Sequence, residues 1–377
     1  MIIQMSAGIS ARSSEVRAVV EKAKMYELNP EVKEARGKRF TVTEVLLKDG
    51  SARTCSVAEH IFRMLGVDTV RRVTPPQVTV RSKHGDYNQI RLGSITIGAG
   101  LPCLPVIGPC TVDISVGKIA KKLADCGVKA IRGGCWKPRS NPYSFPGFGE
   151  QALYWLLKAA KDTRMEAVFT EVIESHQIKM VEDTVKMVGY KGTVVLWVGA
   201  RTSNLLLLRA LGNQHQFPVM LKHGLDDEKV DDLFARAEWV LAGEQKWLRN
   251  GRLDNRKSLR AGNQKLILCL RGLRNQDPQS MWRFSPNNHW AETIQAHSWA
   301  PVAIDPSHSA GTMDNDLVFM SIADALVHNP AMILVEGGYP ENGSKGLCDA
   351  AQSIPIGRIP EVLKMVDDRN RRLHDAK

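Results

Sequence analysis

The sequence predicts an α/β protein, a (β/α)8 barrel preceded by a small α+β unit. Three observations carry this expectation. From Leu104 onward, eight short apolar runs recur, each followed by a helical stretch. Continuous apolar strands alternating with amphipathic helices imply a parallel sheet covered on its faces. Eight such units over roughly 270 residues suit a closed barrel, whereas the first hundred or so residues follow a different rhythm. A doubly wound open sheet is the alternative. It expects a Gly-x-Gly-x-x-Gly turn after the first strand, and Gly108-Pro109-Cys110 follows instead.

In chain order, strand-like runs at Met1–Gln4, Arg39–Leu47 and Asp68–Val73 alternate with helical segments at Ser13–Tyr26 and Val57–Leu65. This order reads as a ferredoxin-like unit. Pro75-Pro76 and Ile97–Gly100 punctuate the chain. The expected division is 1–90 for the first domain and 91–377 for the barrel. The barrel strands are expected at Leu104–Ile107, Ala130–Ile131, Ala167–Thr170, Val194–Val198, Val219–Leu221, Leu266–Leu270, Val302–Ile304 and Met332–Val335. Glu244–Lys265, rich in Arg and Lys, precedes the sixth strand. It is therefore expected at the strand N-terminal face, opposite the usual active site, as a helical insertion with a solvated basic face. Aromatic residues there are sparse apart from Trp247, so nucleic acid is not an expected partner.

Of the 377 residues, 43% are hydrophobic and 24% charged, a mix that argues against disorder. Seven cysteines, an odd number without a Cys-x-x-Cys pair, signal neither a disulfide framework nor a zinc finger. No signal peptide and no apolar run long enough for a membrane span is read, so the cytoplasm is the expected compartment. The net charge of +11 favours anionic partners, and the position of the charges must say which.

Barrel enzymes carry catalytic groups at the C-terminal ends of their strands. Reading there yields Gly108-Pro109-Cys110, Arg132 to Ser140, Glu171, Gly199-Ala200-Arg201, Lys222-His223-Gly224, Arg271-Gly272, Asp305-Pro306-Ser307-His308 and Glu336-Gly337-Gly338, with Asp349 beyond. Arg132, Lys137, Arg139, Arg201, Lys222 and Arg271 form a cationic set. Their crowding makes sense for ligands with several phosphate and carboxylate charges. Cys110, His308, Glu336 and Asp349 form a second set. Strands one, seven and eight are adjacent when a barrel closes, so these four can meet. A thiolate, an imidazole and two carboxylates suit a divalent transition metal such as Mn, Fe, Co or Zn.

With these residues in view, the chain resembles the 3-deoxy-D-arabino-heptulosonate 7-phosphate (DAHP) synthases, over nearly its whole length. The resemblance rests on Gly108-Pro109-Cys110, Lys137-Pro138-Arg139-Ser140-Asn141-Pro142-Tyr143-Ser144-Phe145, Gly199-Ala200-Arg201, Leu270-Arg271-Gly272 and Asp305-Pro306-Ser307-His308. The N-terminal module, with Arg71-Arg72-Val73-Thr74-Pro75, looks like the regulatory domain of the type Iβ subgroup. The resemblance implies a metal-dependent transferase of the shikimate pathway that joins phosphoenolpyruvate to erythrose 4-phosphate. It implies that Arg132, Lys137, Arg201, Lys222 and Arg271 hold phosphoenolpyruvate, and that Arg139 and Ser140 hold the aldose phosphate. Cys110, His308, Glu336 and Asp349 would bind the metal, Lys222 would relay a proton, and Asp305 would lie near the aldehyde. A homo-oligomer, dimer or tetramer, is expected, with an aromatic amino acid as a candidate effector and no membrane partner. Departures from the family pattern, Gly337-Gly338 after Glu336 and Phe284-Ser285-Pro286-Asn287 after Arg283, fall on the aldose side. A synthase acting on another phosphorylated aldose, or a barrel that senses ligands without catalysis, are the alternatives.

Overall fold

The computed structural model describes residues 1–37, 41–47, 57, 60–71, 78–81, 88–139, 141–244, 261–275, 277–310, 315–339 and 352–375. Contacts divide it into two compact units, Met1–Val78 and Thr79–Lys377. The 1–90 expectation had put Gln89 and Ile90 with the first unit, and the contacts put them with the second.

In the first unit, β1 (Ile2–Met5), α1 (Ser14–Met25), β2 (Pro30–Arg36), β3 (Thr41–Leu47) and β4 (Val67–Arg71) follow one another, with helical residues 57 and 60–62 before β4. The sheet order is β2-β3-β1-β4, all pairs antiparallel. Ser13 caps α1 by accepting from the Val16 amide, and Val16, Val19 and Ala23 turn one helix stripe toward the core. On β3, Thr43, Val45 and Leu47 alternate into that core. Strand β2 escaped the sequence analysis. It is an edge strand whose Glu31, Lys33, Glu34 and Arg36 break any apolar run, and charge on an edge guards against pairing with other chains.

Near its start, after a helical turn at Val78–Arg81, the second unit carries a hairpin, β5 (Gln89–Leu92) and β6 (Ile95–Gly98), where the sequence had suggested only punctuation at Ile97–Gly100. Ile90, Leu92 and Ile97 pack into the same buried cluster as the barrel interior. Ser94 binds Glu166 and the Gly93 amide donates to Thr193, both just at the start of barrel strands, so the hairpin plugs the N-terminal end.

Eight parallel strands then close a ring: β7 (Leu104–Gly108), β8 (Ala130–Arg132), β9 (Ala167–Glu171), β10 (Thr193–Val198), β11 (Val219–Lys222), β12 (Leu266–Leu270), β15 (Val302–Ile304) and β16 (Met332–Tyr339). The β15–β16 and β16–β7 pairings complete it, which excludes the open-sheet alternative. The expected strands match these to within a few residues at their ends. A short pair, β13 (Leu273–Arg274) and β14 (Phe284–Ser285), follows β12. Helices follow the strands: α2 (Val116–Asp125), α3 (Gly149–Asp162), α4 (His176–Val188), α5 (Leu205–Asn213), α6 (Val230–Ala242), α7 (Trp290–His297), α9 (Asn315–Val327) and α10 (Ile359–Asp375), with a single turn α8 (Pro306–Ser309) after β15. Residues 245–260, which hold most of the expected basic insertion, lie outside the described residues.

Alternation sorts each strand into two faces. On β10, Val194, Leu196 and Val198 pack in the cluster shared with the helices, while Val195 and Trp197 point into the barrel. The same rule turns Val106, Ala130, Phe169, Met220, Cys269, Ala303 and Leu334 inward. The next inward position on each strand is therefore Gly108, Arg132, Glu171, Trp197, Lys222, Arg271, Asp305 and Glu336. The charged ring sits one layer above an apolar one, at the C-terminal mouth.

Candidate active site

The mouth is a cleft lined by Cys110, Arg132, Lys137, Pro138, Arg139, Glu171, Trp197, Gly199, Ala200, Arg201, Lys222, Arg271 and His308. All six cations of the predicted set line it. Ser140 lies outside the described residues.

Backbone shape brings these groups close. Gly108 admits the Arg132 carbonyl to 2.1 Å of where a Cβ would stand, so any other residue would force β7 and β8 apart. Gly199 leaves room in the same way for the Glu171 carboxylate. Cys110, two residues past β7, is buried, and Lys137 Nζ donates to its carbonyl (2.6 Å) and reaches its sulfur (2.9 Å). Arg139 is exposed and donates from Nε to the Phe145 carbonyl. Arg201 is exposed at the rim.

Deeper in, the charges interlock. Asp305 caps the α8 turn, accepting from the His308 amide, and Pro306 fits the first helical position. That turn carries His308 back over its cap, with Nδ1 2.9 Å from Asp305 Oδ2. Lys222 donates to the same oxygen at 2.5 Å, and Arg132 Nη1 stands 3.9 Å away. Burial alone would raise the Asp305 pKa; His308, Lys222 and Arg132 together outweigh it and hold the carboxyl well below the usual range. Glu336 is likewise fully buried, yet Arg132, His308 and Lys137 keep it below its ordinary value. Glu171 goes the other way. Burial pushes it up despite Lys137, Lys222 and Arg132 nearby. Burial, with Arg201 and Arg283 nearby, brings Arg271 down to about 10.

Among the described residues, Arg132 Nε and Nη1 and Arg271 Nη1 are buried without hydrogen-bond partners. Buried donors left unmatched are costly, so such atoms mark where an anion would be stabilised.

Of the predicted metal set, His308 Nε2 and Glu336 Oε1 face each other across 3.8 Å, and Cys110 lines the same cleft. Asp349 lies outside the described residues, and among the described residues no three His, Cys, Asp or Glu side chains are arranged as a metal cluster. The donors nevertheless fit a transition metal. Glu336 Oε1 is buried and out of hydrogen-bond alignment, although 3.0 Å from Arg132 Nη2. With Asp305 2.9 Å from Nδ1, the Nε2 of His308 is the nitrogen left to ligate a metal were one bound.

Three participants escaped the sequence analysis. Glu171 was noted at a strand end and joined to neither set. Trp197 reads as strand core in any sequence. Gln352, fully buried, donates to Glu336 Oε2 at 2.5 Å and accepts from Arg283 Nη1 at 3.4 Å; a lone amide past Asp349 carries no sequence signal.

Residues 77–374 match the model of the DAHP synthetase I family. The phospho-2-dehydro-3-deoxyheptonate aldolase of Thermotoga maritima is 29% identical over 379 residues, covering 100% of this chain and 98% of the relative. A crystal structure of phospho-2-dehydro-3-deoxyheptonate aldolase (DAHP synthase) from the same organism superposes with a TM-score of 0.74 at 27% identity, covering 100% of this chain and 97% of that one. A truncated form of 3-deoxy-D-arabino-heptulosonate 7-phosphate synthase from Thermotoga maritima gives 0.57 at 28% identity, covering 76% and 92%. The strand-end chemistry, the closed barrel and the family match agree, and the chain belongs to the DAHP synthetase I family.

Proposed function

We propose that the chain is a metal-dependent DAHP synthase, condensing phosphoenolpyruvate and water with erythrose 4-phosphate to yield DAHP and phosphate. The observation that carries this reading is the cluster of buried, unmatched guanidinium donors on Arg132 and Arg271 beside Lys222. A carboxylate and a phosphate on one small molecule would satisfy them together.

Arg132, Lys137, Arg201, Lys222 and Arg271 hold phosphoenolpyruvate in this reading, and exposed Arg139, with Ser140, takes the aldose phosphate. Cys110, His308, Glu336 and Asp349 are the ligands for a divalent Mn, Fe, Co or Zn ion, which when bound supplies Lewis-acid polarisation at the aldehyde oxygen. C3 of phosphoenolpyruvate attacks the aldehyde carbon, water adds at C2, and phosphate leaves by C–O cleavage. The arginines stabilise the departing phosphate's charge. Ionised Asp305 accepts from Lys222, which orients the ammonium group as a proton relay to bound substrate. The apolar layer beneath keeps water out from below, which strengthens each of these interactions.

The sheet order β2-β3-β1-β4 supports a ferredoxin-like reading of the first unit, and with it the type Iβ subgroup, an aromatic amino acid as effector and a dimer or tetramer. The test is phosphate release from phosphoenolpyruvate with erythrose 4-phosphate, arabinose 5-phosphate and other aldose phosphates, before and after chelation. Release with erythrose 4-phosphate, lost to chelator and restored by metal, is expected. Preference for another aldose would reassign the acceptor, and no release with any would discard the reading.

A further inference from the structure

In the charged ring, seven of the eight inward positions are glycine or ionisable, and the eighth is Trp197. It is almost fully buried and belongs to the apolar cluster of the barrel interior, yet it also lines the cleft. The Arg132 guanidinium lies 5.1 Å from its ring centroid and Lys222 Nζ lies 5.2 Å from it. These two cations come from β8 and β11, on opposite sides of β10. Glu171 is Trp197's register partner on β9.

We propose that Trp197 is a positioning residue for phosphoenolpyruvate: its ring holds Arg132 and Lys222 at the substrate's charged end. The inference rests on the synthase reading for the identity of the ligand. The physical argument is that two cations sharing a cleft floor repel each other, and in the desolvated mouth an aromatic face attracts both while staying uncharged. An acid there would instead compete with the substrate for the same donors. An aliphatic residue would seal the apolar layer equally well but leave the cations without that attraction.

Two substitutions separate the aromatic face from apolar bulk. Trp197→Phe keeps a ring; Trp197→Leu loses it. Phosphoenolpyruvate binding to the full chain is measured by calorimetry, together with kcat and both KM values. Trp197→Leu should weaken phosphoenolpyruvate binding on the order of tenfold, and Trp197→Phe by no more than about threefold. Aldose KM should stay within about twofold. If Trp197→Leu does not fold, Trp197→Phe still tests the ring through its retained affinity. Equal affinities in all three proteins, or equal damage in both variants, overturns the proposal. A wild type that binds phosphoenolpyruvate without turnover would remove the synthase reading, and the affinity comparison would still decide Trp197's role. A wild type that neither binds nor turns over removes both.

Discussion

Two layers of the same barrel interior, one pair of residues apart on every strand, have opposite chemistry. The lower layer is Val106, Ala130, Phe169, Val195, Met220, Cys269, Ala303 and Leu334, closed underneath by the β5–β6 hairpin. The upper layer is the charged ring from Gly108 and Arg132 round to Asp305 and Glu336. Both are built by the same pleat and hydrogen-bonded ladder, so backbone geometry alone does not distinguish them. The lower layer stabilises the ring by burying apolar surface. The upper one costs stability, because ions taken from water recover their desolvation penalty only by mutual pairing. The Arg132–Glu336, Arg132–Asp305 and Lys222–Asp305 pairs supply that recovery and leave selected donors over for a ligand.

Substitutions in the two layers should therefore separate activity from stability. The largest expected effect is at the top. Cys110→Ala should bring turnover to background while Tm moves by no more than a few degrees, and near-normal turnover would remove Cys110 from the ligand set. Phe169→Ala, directly beneath, should do the reverse. It should cost about 3–5 kcal/mol in denaturant unfolding while leaving both KM values near normal in the folded fraction.

His223, one residue past the upper layer on β11, links stability to pH. Burial, with Arg271, Arg236 and Lys222 nearby, brings its pKa down to about 4, against a Gly224 carbonyl contact that pulls upward. The unfolded chain takes up this proton near 6.5, the folded one only near 4. The contribution of neutral His223 is therefore whole above pH 6.5 and is lost as pH falls toward 4, by about 3 kcal/mol. Urea midpoints between pH 7.5 and 4.5 should fall more steeply for the wild type than for His223→Gln; parallel curves would contradict this. Gln352→Leu, which removes the donor to Glu336, should weaken metal binding about 10–100-fold by calorimetry on metal-free protein. The smallest expected effect is at the exposed rim, where Arg139→Ala should raise the aldose KM about tenfold and that of phosphoenolpyruvate much less.

The contrast between layers also explains what was legible in the sequence. Each barrel strand is an uninterrupted apolar run because both faces are buried, and the first charged residue after the run marks the upper layer. Arg132, Lys222, Arg271, Asp305 and Glu336 stand out for that reason. Residues without that contrast stayed hidden. Trp197 is apolar within an apolar run, so nothing separates it from Val195. Glu171 does show the contrast and was read at its strand end, but a single acid whose neighbours come from other strands reveals no role. Strand β2 sits at an edge where solvent permits charge, and its pattern resembles a loop. Gln352 acts only through Glu336 and Arg283, contacts that sequence distance conceals.

In the proposed function a metal ion and a substrate bearing both a carboxylate and a phosphate share the upper layer. Anomalous diffraction from crystals soaked with Mn²⁺ and phosphoenolpyruvate should show a single manganese peak ligated by Cys110 Sγ, His308 Nε2, Glu336 and Asp349, with phosphoenolpyruvate lying against Arg132, Lys222 and Arg271. A peak elsewhere, or phosphoenolpyruvate bound away from those three cations, would contradict it.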